Sequence, residues 1–143
     1  MKNILILCTG NSCRSQIAHG YFSNLLKEKA NIYSAGIETY GLNKNAIKTM
    51  QKDGIDISNY TSNNVNEYKN IAFDFIITVC DKANQNCPYF PFNNSKRIHK
   101  NFLDPSKVKN SKNFDNDFDK CRKEIKKFSI EFKKEFFNYL TTK

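Results

Sequence analysis

Lys2-Asn3-Ile4-Leu5-Ile6-Leu7-Cys8-Thr9-Gly10-Asn11-Ser12-Cys13-Arg14-Ser15 opens the chain and sets the expectation for its fold. Lys2–Leu7 is a short, continuous apolar run, the pattern of a strand buried on both faces. The residues after it are small and polar, as in a tight turn. From Gln16 to Lys29 the apolar positions Ile17, Tyr21, Phe22, Leu25 and Leu26 then return at helical spacing. Strand, turn and helix in that order are the first half of a βαβ unit.

The rest of the chain continues the alternation. Asn31–Ala35 is a short strand candidate ending at Gly36. Asn43–Asp53 carries Ala46, Ile47 and Met50 at helical spacing, with Gly54 placed to end the helix. Thr61–Lys69 can hold a short helix. Phe73–Val79 is a second apolar strand, Cys80–Asn94 (with Pro88 and Pro91) reads as a loop, and Arg97–His99 as a last strand. Phe114, Phe118, Cys121, Ile125, Phe128, Phe132, Phe136 and Tyr139 recur every three or four residues, predicting one long amphipathic helix. The expected fold is a single α/β domain over residues 1–143, with a central four-stranded parallel sheet flanked by helices. In such sheets ligands bind beyond the carboxyl ends of the strands. Cys8 and Cys80 each stand at such an end.

Composition narrows the function. Hydrophobic residues make up 39% of the 143, enough for a packed core. Mean hydropathy is −0.65, and no apolar run nears the roughly 20 residues that span a bilayer. Ile4–Leu7 is too short for the core of a signal peptide, so a cytoplasmic protein without membrane association is expected. The formal net charge is +9. Much of the excess lies in the lysines between Lys120 and Lys134, the polar side of the last helix, and arginine occurs only at 14, 97 and 122. That is a solvated helix face, not the footprint of a nucleic-acid binder. Five cysteines without a Cys-x-x-Cys pair, and only two histidines, argue against a disulfide framework and against a zinc site. No metal and no cofactor are expected, and the chain is expected to be a monomer.

The loop at Cys8–Ser15 has the parts of an oxyanion cradle. Backbone N–H groups in a strand-to-helix turn can converge on one point, and the helix N-terminus adds positive potential. Gly10 and Asn11 tolerate left-handed conformations. Arg14 can reach back with a planar fork suited to a tetrahedral anion. The same surroundings favour a thiolate at Cys8, to which Ser15 could donate. Thr9, Gly10, Asn11, Ser12, Cys13, Arg14 and Ser15 are therefore the candidate substrate-binding residues, and Cys8 the candidate nucleophile. Cys80 and Cys87, with six residues between them, are either two unrelated cysteines or a redox pair; their spacing leaves both open.

The loop resembles the phosphate-binding loop of low-molecular-weight protein tyrosine phosphatases and of thioredoxin-coupled arsenate reductases, which share one fold. Tyr33-Ser34-Ala35-Gly36-Ile37-Glu38 and Ile55-Asp56-Ile57-Ser58 resemble the same superfamily. Thr78-Val79-Cys80-Asp81-Lys82-Ala83-Asn84-Gln85-Asn86-Cys87-Pro88 is similar to the redox segment of the reductases, and the phosphatases need no such pair. The resemblance implies that arsenate is the substrate, that Cys8, Cys80 and Cys87 form a disulfide relay, and that thioredoxin is the reductant. It also makes Asp104, in Asp104-Pro105, the general acid. Ser106 stands where the phosphatases usually carry an aromatic residue. Cys13 and Cys121 are otherwise expected to be structural. Some reductases of this family bind potassium through an Asn, a Ser and two acidic residues. Asn11 and Ser34 match, but His19 and Asn63 replace the acids, so no strong potassium dependence is expected. A phosphatase of the same fold, and a non-catalytic oxyanion-binding or redox-sensing protein, are the alternatives.

Overall fold

The computed structural model describes residues 1–87, 94–107 and 114–137. Four strands, β1 (Lys2–Cys8), β2 (Ala30–Gly36), β3 (Phe75–Thr78) and β4 (Lys96–His99), form one all-parallel sheet in the order β2-β1-β3-β4. The helices are α1 (Arg14–Leu25), α2 (Lys44–Gln51), α3 (Asp81–Gln85) and α4 (Phe114–Phe136), with 3-10 turns at Val65–Tyr68 and Pro105–Lys107. Pro88, Pro91 and Tyr139 lie outside the described residues.

The apolar run of β1 is explained by its central place. Ile4, Leu5, Ile6 and Leu7 are all fully buried, and each such side chain contributes about 2 kcal/mol of apolar burial. The last helix lays its apolar stripe on the same core. Phe118, Cys121, Ile125 and Phe132 are buried, and Phe132 packs on Phe22 with ring centroids 5.0 Å apart. On its polar side the Asp53 carboxylate accepts from Tyr21 and Lys126, both at 2.8 Å, and Asp119 accepts from Thr49 and Lys52. These polar pairs hold α4 against α1 and α2.

Element ends differ from the sequence expectation where local chemistry intervenes. α1 stops at Leu25 rather than Lys29, because Glu28 takes a left-handed φ of 64° and turns the chain into β2. α2 begins after Asn43, whose side chain caps it by accepting from the N–H groups of Asn45 and Ala46. Gly54, with φ of 73°, follows its end. The segment read as a loop from Cys80 contains a short helix, α3. Cys80 is its N-cap, and its sulfur accepts from the N–H of Ala83.

The strand order puts a switch point between β1 and β3, the two central strands. Leu7 pairs with Thr78, and the N–H of Val79 bonds to the carbonyl of Leu7 at 2.9 Å. The chain therefore leaves both strands side by side, at Cys8 and at Cys80.

Candidate active site

The loop is shaped from outside. The carbonyls of Cys8, Thr9, Gly10 and Ser12 accept from the N–H groups of Ile37, Glu38, Tyr40 and Asn43, all in the segment that continues β2. Gln16 Nε2 bonds to the Asn11 carbonyl at 2.9 Å. In a planar trans peptide the N–H points opposite to the C=O. Tying these carbonyls outward turns the N–H groups of Thr9 through Cys13 inward. The N–H of Asn11 accordingly reaches Cys8 Sγ at 3.2 Å. Asn11 has the left-handed φ of 48° that closes the turn.

Cys8 is buried, and its sulfur also shares a 2.9 Å hydrogen bond with Ser15 Oγ. Asn11 Nδ2 donates to that hydroxyl at 2.7 Å, while Asn11 Oδ1 accepts from the N–H of Asn63 at 2.8 Å. The side chains of Asn11 and Ser15 are fully buried and brace the sulfur from behind. Thr9, Gly10, Ser12, Cys13 and Arg14 line a cavity of about 60 Å³ in front of it, with Tyr40, Asp104 and Ser106 at its mouth. That volume suits a small anion.

Gly36 is opposite Cys8 in the sheet. A Cβ there would lie 2.7 Å from Asn11 N and 2.9 Å from the Gly10 carbonyl carbon, both rigid backbone atoms. Gly36→Ala is therefore expected to push the loop outward, costing about 2–4 kcal/mol and most of the affinity for phosphate. Denaturant unfolding and phosphate titration check this; an unchanged midpoint and affinity would refute it.

Arg14 joins the loop to the Asp104 segment. Its Nη1 donates to the Phe102 carbonyl at 3.0 Å, and its Nη2 lies 3.6 Å from Asp104 Oδ2. The other Asp104 oxygen accepts from the N–H and hydroxyl of Ser106, at 3.0 and 2.6 Å. Ser106 thus has a task of its own, orienting the carboxylate.

Cys80 meets the loop from the neighbouring strand. Its sulfur is buried and lies 3.3 Å from Thr9 Oγ1. Cys87 is half-buried just beyond the other end of α3, where Arg97 Nη1 donates to its sulfur at 3.1 Å. None of the five cysteines is in a disulfide. The start of α3 is fastened to β3 and β4: His99 bridges Asp81 and Thr78, both at 2.7 Å, and Asn101 accepts from the N–H of Asp81.

A family profile described as low molecular weight phosphotyrosine protein phosphatase matches residues 3–138. The chain belongs to this family. Among curated relatives of this phosphatase-family chain, arsenate reductase 1 of Staphylococcus epidermidis is 47% identical over 125 residues, 87% of this chain and 90% of the relative. A solved structure described as an arsenate reductase in the oxidized state covers 92% of this chain and 95% of its own, with 26% identity and a TM-score of 0.79. The low molecular weight tyrosine phosphatase of T. tengcongensis shares the fold, with a TM-score of 0.78 at 20% identity, over 95% of this chain and 100% of its own.

Within the phosphatase-family site, the remaining cysteines are insulated. Burial, with smaller contributions from Cys121 and Asp104, raises the Cys13 thiol well above the ordinary range. Burial pushes Cys121 up to about 12. Both stay protonated and unreactive at neutral pH.

The positions His19 and Asn63, read as departures from a cation site, are engaged otherwise. His19 Nδ1 shares a 2.8 Å hydrogen bond with Ser34 Oγ, and its ring lies against Tyr60. Asn63 accepts from Thr61 and donates to Glu67. Among the described residues no group of three or more His, Cys, Asp or Glu is arranged to hold a metal.

Burial lowers the His19 pKa to about 4. Below about pH 6.5 the unfolded chain takes up a proton that the folded protein refuses. This contribution to stability is complete above that pH and shrinks as pH falls towards 4, by up to about 3 kcal/mol. His19→Gln is expected to flatten this part of the stability profile in urea unfolding between neutral and acid pH. Equal losses in variant and parent would refute it.

Tyr40 was not foreseen from sequence. Its ring lies against Gly10, where any Cβ would collide with it, and its hydroxyl donates to Glu38. It is an exposed aromatic in an irregular stretch, so no periodicity marks it.

Proposed function

We propose that this chain reduces arsenate to arsenite, using Cys8 as nucleophile and Cys80 and Cys87 as a disulfide relay. The observation that carries the reading is the contact between Cys80 Sγ and Thr9 Oγ1. It sets a second thiol against the loop that holds the first, an arrangement that hydrolysis does not require. The curated relatives named arsenate reductase, at 43–47% identity over most of the chain, support the same substrate.

Arsenate enters the cradle of inward N–H groups and Arg14. Cys8 attacks arsenic, and Asp104, held by Ser106 and facing Arg14, gives a proton to the departing hydroxide. Cys80 attacks Cys8 Sγ. A sulfur–sulfur bond forms, the sulfur–arsenic bond breaks, and its electron pair leaves with arsenic as arsenite. Cys87 then attacks Cys80 Sγ and expels Cys8 as a thiolate, received by the N–H of Asn11 and the hydroxyl of Ser15. The Cys80–Cys87 disulfide is reduced by thiol–disulfide exchange with thioredoxin. The chain acts as a monomer in the cytoplasm, where thiols are kept reduced.

The test is stoichiometric. Reduced protein mixed with arsenate, without a reductant, is expected to lose two thiols per arsenite formed. Hydrolysis of an aryl phosphate without thiol loss would instead support phosphate monoester hydrolysis. That second reading is favoured by Tyr40, an aromatic wall at the mouth of the cavity.

A further inference from the structure

Each sulfur of the proposed relay has a different polar neighbour. Cys8 has the loop amide of Asn11 and the hydroxyl of Ser15, and Cys80 has Thr9 and the first turn of α3. Cys87 has a full positive charge. Arg97 Nη1 donates to its sulfur at 3.1 Å, and among the described residues the guanidinium makes no other hydrogen bond and no ion pair. An arginine on an exposed edge strand ordinarily faces water or a carboxylate. This one is spent on a thiol.

The surroundings fit a moving nucleophile. Cys87 and Arg97 line a cavity of about 260 Å³ with Thr78, Asn84 and His99. Thr78 ends β3 two residues before Cys80, so the cavity extends from the resting sulfur towards the strand end that carries its target. Cys80 and Cys87 lie at opposite ends of α3. To meet, they must unwind that helix, which is only five residues long and therefore weakly self-supporting.

We infer that Arg97 is the positioning residue for the third thiol: it supplies countercharge to the Cys87 thiolate and holds it in the cavity until Cys80 becomes disulfide-bonded. The inference rests on the relay proposed above. In the step it serves, Cys87 sulfur gives its electron pair to Cys80 sulfur, the Cys87–Cys80 bond forms, the Cys80–Cys8 bond breaks, and Cys8 leaves as the thiolate. The electron count closes within the chain.

Two measurements test it. The first uses the full chain with Cys8 and Cys80 both replaced by Ser, which leaves Cys87 as the accessible thiol beside the buried Cys13 and Cys121. Alkylation of Cys87 by iodoacetamide is expected to slow about fivefold to tenfold on Arg97→Gln, given a charged hydrogen bond at a partly exposed site. Arg97→Lys should recover most of the rate, because it keeps the charge. A role in packing alone predicts no rescue by charge. Equal alkylation rates with Arg, Gln and Lys at 97 would overturn the inference.

The second uses the otherwise native protein in a single turnover with arsenate. Arg97→Gln is expected to release the first arsenite at the parental rate, while the Cys8–Cys80 species persists about fivefold to tenfold longer. Unchanged decay of that species would also overturn the inference. If the parent forms no such species, the relay itself fails. The alkylation comparison still reports on Arg97, so the two failures are distinguishable.

Discussion

Cys8→Ser is expected to lower arsenate reduction by at least about 10⁴-fold, because a hydroxyl at that position is a far weaker nucleophile and cannot enter a disulfide. Binding should be spared. The cradle is made of backbone N–H groups fixed by carbonyls tied to residues 37–43, and the Ser hydroxyl can still share a hydrogen bond with Ser15. Phosphate affinity by calorimetry should stay within about threefold of the parent, while steady-state arsenite formation disappears. If the variant kept even a tenth of the parental rate, the nucleophile would have to be sought elsewhere. Joint loss of binding and turnover would mean that the sulfur helps to shape the loop.

The second large effect separates the other two thiols of the proposed relay. Cys87→Ser is expected to form one arsenite per chain and then stop, holding a Cys8–Cys80 disulfide visible by mass spectrometry of non-reduced peptides. Cys80→Ser is expected to stall earlier, at the adduct between Cys8 and arsenic, and to release no arsenite. With thioredoxin present, sustained turnover by either variant would sink the relay. The difference between the variants follows from placement. Cys80 lies beside Thr9 of the loop, whereas Cys87 is beyond the far end of α3 and next to Arg97.

β1 and β3 were legible because each is a short apolar run at the centre of the sheet, whereas β4, Lys96-Arg97-Ile98-His99, is mostly exposed and carries no such run. α4 was legible because a helix on a sheet must repeat its apolar positions every three or four residues. α3 was not. Five residues hold too little periodicity to register, and the helix is made by tertiary partners: His99 and Asn101 on its first residue, and the Cys80 sulfur as cap. The loop's chemistry could be read from residue types, but the division of labour within it could not. Ser15 was readable as a partner of the Cys8 sulfur, but nothing in the order Asn11, Ser12 says that the first braces that hydroxyl from behind and the second lines the cavity. Tyr40 and Arg97 escaped for a related reason. Each acquires its meaning from a neighbour, Gly10 or Cys87, that only folding supplies.

The outward-tied carbonyls of the loop bear on what can be transplanted. A peptide of residues 8–15 carries every side chain of the cradle and none of what orients its amides, since those bonds run to Ile37, Glu38, Tyr40 and Asn43. Grafted alone onto another strand-to-helix junction, the octapeptide would be free to turn its amides to solvent and would lose its preference for a tetrahedral anion. A portable unit needs the loop with Gln16, the extension of β2 from Gly36 to Asn43, and the stretch at Ser62 and Asn63 that also bonds the loop. The anion site is in that sense an interface between separate stretches of one chain.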